Sequence, residues 1–127
     1  MKLPIFAALL LAAVASSGSQ LSPLDRAPVS TAARPNPFER RDDARRAGAK
    51  LFHHHCASCH GDGAQGRDRT PALASARVQN TAPGTLFWVL RNGSLRGGMP
   101  SFSHLPEQQR WQMVTYLKSL REPPTKE

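Results

Sequence analysis

The sequence predicts an all-α fold of about three to four helices joined by long loops. Apolar residues recur at the three- and four-residue spacing of helices in segments that begin near Asp42, Thr81 and Pro106. Polar stretches rich in glycine and proline separate these segments, and no strand pattern precedes the two cysteines. We therefore expect one small domain over about residues 42–121.

The first fifteen residues have the features of an export signal. Lys2 is the only charge before an apolar run that ends at Val14, and Ala13-Val14-Ala15 has the small residues of a cleavage site. The run is shorter than the roughly 20 residues that a membrane-spanning helix needs. We expect residues 1–15 to be removed and the mature protein to be periplasmic or secreted, without a membrane span.

Two further segments lack the apolar periodicity of a helix. Residues 16–41 contain several prolines among small and basic residues, and residues 122–127 are polar and also contain proline. Such segments bury too little apolar surface to offset the entropy of ordering. We expect a disordered leader over residues 16–41 and a frayed tail over residues 122–127.

The first helix of the domain is predicted to begin at Asp42 or Asp43, either of which can cap it, and to end within His53–His55. Gly48 lies on its apolar stripe, where the missing side chain would let another helix come close. The other apolar positions of the stripe follow helical spacing: Ala44, Ala47, Leu51 and Phe52. We expect the three histidines to be mostly solvated.

The stretch Cys56-Ala57-Ser58-Cys59-His60 follows directly. Two thiols at i and i+3 and an imidazole at i+4 share one face of a helical turn, so all three can address one flat ligand. This spacing predicts covalent attachment of one haem c, with thioethers from Cys56 and Cys59 and with His60 as an iron ligand. The attachment of the porphyrin would also supply the apolar mass that so small a domain lacks.

Other readings of the two cysteines have less support. A thioredoxin-like dithiol needs a strand–helix–strand context that is missing here. A zinc site built from these cysteines and histidines would crowd its ligands into eight consecutive residues, without two separated ligand pairs. A disulfide closing so small a loop would leave His60 unexplained.

Two later segments contain candidate haem contacts. Pro71 follows a polar loop, and a backbone carbonyl near it could hold the second ring nitrogen of His60, although a plain turn is equally compatible. A helix is predicted from Thr81 to Arg91, with Asn92-Gly93 as its stop. Trp88 and Arg91 could hydrogen-bond a haem propionate, although a tryptophan at this spacing is more often core.

Met99 is the candidate second axial ligand. It lies in Gly97-Gly98-Met99-Pro100, where glycines let the backbone approach a flat cofactor. Met1 leaves with the signal, and Met113 lies in the apolar stripe of the last helix, which is predicted to begin after Pro106. His104 competes with Met99 for this role, and a second imidazole would lower the reduction potential that a thioether raises.

The chain is strongly basic, with a formal net charge of +8. A basic protein can bind nucleic acid, but the expected export and the lack of a nucleic-acid-binding motif argue against that class of partner. We expect redox partner proteins with acidic docking surfaces instead.

These residues resemble those of a class I c-type cytochrome over about residues 42–121. The likeness rests on the cysteine motif, on Gly48 and Phe52 before it, and on residues that follow it: Pro71, Leu73, Gly98-Met99-Pro100, Trp111 and Tyr116-Leu117-Lys118. The resemblance implies an all-α fold whose first and last helices cross near Gly48 and Phe52. It also implies His60 and Met99 as axial ligands, the Pro71 carbonyl orienting His60, and one-electron transfer.

The leading functional hypothesis is therefore a periplasmic electron carrier that is not an enzyme. One alternative is an electron-accepting cytochrome subunit of a dehydrogenase complex. Another is a haem enzyme or gas sensor whose distal ligand is displaceable, for which ready binding of carbon monoxide would be the signature.

Overall fold

The computed structural model describes residues 21–121, so the expected export signal and the expected tail lie outside the described residues. Six α-helices follow one another in this part of the chain: α1 (Pro23–Arg26), α2 (Asp42–His55), α3 (Ala57–His60), α4 (Ala76–Gln79), α5 (Pro83–Asn92) and α6 (Glu107–Lys118). Two 3₁₀ helices lie at Val29–Ala33 and Leu95–Gly97. Over residues 21–121 the β-type pairings are isolated bridges, which confirms the all-α prediction.

The three long helices lie where the sequence predicts them. In α2, two acidic residues in the first turn complement the positive end of the helix dipole. In α5, Pro83 stands in the first turn, where its missing N–H costs no hydrogen bond, and Gly93 follows the last residue. The helix α6 begins directly after Pro106, as expected.

The helices α2 and α6 cross at Gly48, as predicted. A methyl group at Gly48 would overlap the backbone oxygen of Gln112 and lie 2.7 Å from its carbonyl carbon. Next to this crossing, Phe52 is only 1% exposed, and its ring centre lies 5.3 Å from that of Tyr116. The absence of a side chain at Gly48 therefore sets the distance between the first and last helices of the domain.

Residues 21–41 are ordered against the domain, so the expectation of a disordered leader is wrong for this part of the chain. The amide of Asn36 is buried and donates a hydrogen bond to Thr115 Oγ1 at 2.9 Å. The guanidinium of Arg34 lies 4.7 Å from the ring centre of Phe87, within cation–π distance. Such contacts with residues distant in sequence order the segment although its own sequence has no helical periodicity.

The apolar core consists of two clusters. The larger cluster includes Phe87 and Trp111, whose rings stack with their centres 3.9 Å apart, and the smaller one includes Phe52. Cys56 and Leu73 pack against both clusters, so the cysteine motif lies where they meet. Among residues 21–121, no helix has the length and apolar character that crossing a bilayer would require.

Candidate cofactor site

An apolar cleft of about 370 Å³ opens beside the cysteine motif. It is bounded by α2, α5 and α6 and by the chain between α3 and α4. Its apolar walls include these side chains: Phe52, Leu73, Val78, Leu86, Leu90 and Leu117. A cleft with so few polar groups favours a flat apolar ligand over a water-soluble one.

The cysteine motif forms a helical turn at the edge of this cleft. The backbone N–H of His60 donates to the carbonyl of Cys56 at 3.0 Å, which places both side chains on one face, and both line the cleft. Cys59 is exposed and does not line it. Burial, together with the neighbouring Cys59, raises the pKa of Cys56 to about 11, so this thiol is protonated at neutral pH.

The imidazole of His60 is oriented by the backbone. Its Nδ1 donates to the carbonyl oxygen of Pro71 at 3.0 Å, which leaves Nε2 free to coordinate a metal. The turn that contains Pro71 is itself fixed, because the buried amide of Gln79 donates to the carbonyls of Leu73 (2.9 Å) and Leu117 (2.8 Å). Nothing in the sequence pattern points to Gln79, because its partners are backbone groups of distant segments.

Two methionines line the cleft, whereas the sequence pattern favours only one. Met99 is held by a closed loop, in which its backbone N–H and C=O both pair with Ser94, at 3.0 and 2.9 Å. Met113 on α6 is almost fully buried and also lines the cleft. His104, the competing candidate ligand, is exposed and is absent from the cleft walls.

Trp88 and Arg91, the two residues of α5 that were candidate propionate contacts, lie outside the walls of the cleft. Leu86, Val89 and Leu90 face the cleft, and Trp88 and Arg91 do not line it. Each of these two residues follows a cleft-facing residue by two positions, about 200° around a helix. Arg69 and Arg77 line the cleft instead, and sequence reasoning missed them because their segment has no periodicity.

The histidine run lies outside the cleft. The ring centre of His55 is 5.9 Å from that of Phe102, and Phe102 is 6.2 Å from His104. Burial, with the nearby charges of His54 and His104, lowers the pKa of His55 and so favours its neutral form. Within residues 21–121, no cluster of three or more histidine, cysteine or acidic side chains is arranged to hold a metal ion.

The fold is that of a c-type cytochrome. A crystal structure of Cytochrome CL from the marine methylotrophic bacterium Methylophaga aminisulfidivorans MPT matches with a TM-score of 0.61 at 23% identity, covering 86% of this chain and 72% of that one. Residues 43–117 match the family described as cytochrome C oxidase, cbb3-type, subunit III, and the chain belongs to this family of cytochrome c domains. No curated protein matches the chain.

The residues of the cleft fit a haem c, the cofactor that membership of this family implies. The thiol of Cys56 lines the cleft, and Cys59 stands on the same helical turn outside its walls. An imidazole with a free Nε2 lies in the wall, and thioether sulfurs are available from two methionines. Apolar walls suit the porphyrin, and the guanidinium groups of Arg69 and Arg77 can pair with propionates. Electron transfer is the general function of such a domain.

Proposed function

We propose that this protein is an exported one-electron carrier rather than an enzyme. In it, Cys56 and Cys59 hold one haem c through thioethers, and His60 and Met99 coordinate the iron. The observation that supports this proposal best is that His60, with its Nδ1 held by Pro71, and Met99, on a closed loop, line the same apolar cleft.

When bound, the haem supplies a reversible one-electron change at its iron. Residues of the chain set the reduction potential of the iron in three ways. The Pro71 carbonyl holds His60 in one tautomer and orientation. A thioether ligand from Met99 favours the ferrous state, and apolar walls such as Leu86 exclude water, which disfavours the more highly charged ferric site.

The two methionines allow a matched test of the sixth ligand. In Met99→Leu, the ferric protein is expected to lose the weak near-infrared band of methionine-bound haem, and the ferrous protein should bind carbon monoxide readily. The variant Met113→Leu keeps a similar volume in the same cleft and should retain the wild-type spectrum.

Absorption spectra of the oxidised and reduced proteins, with and without carbon monoxide, measure the near-infrared band and the carbon monoxide binding of both variants. Loss of the band in Met113→Leu alone would assign the ligand to Met113. Ready carbon monoxide binding by the wild-type protein would favour an enzyme or gas sensor with a displaceable ligand.

The proposed partners are redox proteins with acidic docking surfaces. The formal net charge is +8, and two exposed arginines, Arg69 and Arg77, stand at the cleft where an electron would enter or leave. Electrostatic attraction of this kind accelerates encounter and is screened by salt. Reduction by the physiological donor should slow as ionic strength rises, and a rate that is independent of salt would exclude such steering.

A second candidate is a cytochrome subunit of a larger redox complex, such as a dehydrogenase. The name of the family describes a subunit, which favours this reading. Isolation of the protein from its native source separates the two candidates, because a subunit would remain in a stable complex whereas a free carrier would be recovered alone.

A further inference from the structure

We propose that the N-terminal segment Ser22–Arg26 is a wall of the haem site, with Leu24 as its haem-contacting residue. This inference rests on the proposed binding of haem in the cleft. The family match begins at residue 43, so the segment is additional to the domain that the family defines.

The segment takes part in the cleft directly. Ser22, Pro23 and Leu24 line it together with Cys56, His60 and Met99. Leu24 is half-buried and packs against the larger apolar cluster of the core. It is therefore placed to cover part of the porphyrin that would otherwise face water.

Local contacts give the segment its shape. The hydroxyl of Ser22 accepts a hydrogen bond from the backbone N–H of Leu24 at 3.1 Å and caps α1, and Pro23 stands in its first turn. Asp25 Oδ1 accepts a hydrogen bond from Arg77 Nη2 at 2.6 Å. Because both side chains are about half-exposed, this ion pair alone would hold the segment weakly.

The 3₁₀ helix Val29–Ala33, which follows the segment, packs on α5 and holds the segment more firmly than the ion pair does. At Gly84 the two backbones approach so closely that a methyl group would overlap the carbonyl oxygen of Thr31 and lie 2.7 Å from that of Arg34. The hydroxyls of Thr31 and Thr85 are hydrogen-bonded at 3.2 Å. The segment before this contact is thereby kept over the cleft, and Asp25 in turn positions Arg77 beside it.

A wall of this kind affects the reduction potential of the iron. Exclusion of water by Leu24 disfavours the ferric state, so opening the wall should make the reduction potential more negative. Val29 begins the 3₁₀ helix that follows the segment, is 91% exposed and does not line the cleft, so it supplies a matched control.

The test uses the mature protein with its haem attached. In the ferrous wild-type protein, NMR should show the methyl protons of Leu24 shifted well outside the ordinary range by the porphyrin ring current, and those of Val29 at ordinary positions. The variant Leu24→Ser should have a more negative reduction potential than the wild type, and Val29→Ser an unchanged one.

Leu24 methyl signals at ordinary positions, or a potential of Leu24→Ser equal to that of the wild type, would overturn the inference. Its failure is distinguishable from failure of the proposed function. A protein that carries covalent haem but shows ordinary Leu24 shifts refutes the wall alone, whereas a protein without haem refutes both.

Discussion

Replacement of both Cys56 and Cys59 by alanine is expected to give a colourless chain that no longer unfolds cooperatively. At roughly 24 cal/mol per Å³ of unfilled volume, an apolar cleft of about 370 Å³ corresponds to on the order of 9 kcal/mol. This value is an upper bound because the cleft is open to water. It is nevertheless comparable with the whole stability of a small domain, about 5–15 kcal/mol.

The measurement is thermal or urea unfolding followed by circular dichroism. The variant Ser58→Ala changes an exposed residue between the two cysteines and should unfold like the wild type. A cooperative transition of Cys56→Ala/Cys59→Ala with a wild-type midpoint would show that the chain folds without its cofactor, contrary to expectation.

The substitution Gly48→Ala is expected to destabilise the protein by about 3 kcal/mol or more, as forced overpacking does. The direction of this change in stability is informative, because replacing a mid-helix glycine by alanine ordinarily stabilises a protein by about 0.5–1 kcal/mol. Here the added methyl group would overlap the Gln112 backbone, which has no side-chain freedom with which to move away. The helices α2 and α6 must therefore separate, and the cleft that both helices border must widen.

Urea unfolding of the haem-bound protein gives the change in the free energy of unfolding. Lys50→Ala is the control, since Lys50 is exposed on the same helix, and it should change that free energy by less than about 0.5 kcal/mol. An unchanged or increased stability of Gly48→Ala would mean that the two helices are not in close contact at this point.

The helices and their crossing could be predicted because the relevant signals are local. The proline at the start of α5, the glycine after its end and the acidic first turn of α2 act within one turn of the residues that carry them. The position of Gly48 on an apolar stripe indicated the close approach of another helix, and the resemblance implied that this helix is the last one of the domain. The cysteine motif likewise falls within a single helical turn.

The missed features depend on contacts between residues far apart in sequence. Residues 21–41 have no periodicity, and they are ordered by partners such as Thr115 and Phe87 that their own sequence does not reveal. The cap-like Ser22-Pro23 pair was the local signal that could have indicated α1.

The residues that form the walls of the cleft were harder to predict than the candidate iron ligands. Which face of α5 meets the cleft is decided by tertiary packing, so the sequence could not show that Trp88 and Arg91 lie outside the cleft walls. The same packing brings Met113 into the cleft from α6. The prediction that Met99 is the iron ligand consequently needs the comparison of the two methionine variants.

Covalent attachment of haem is tested most directly by precipitating the purified wild-type protein and extracting it with acidified organic solvent. If Cys56 and Cys59 carry thioethers, the colour will stay with the polypeptide, and the intact mass will exceed that of the chain by one haem. A colourless protein, or a pigment that passes into the solvent, would contradict the attachment on which the proposed function depends.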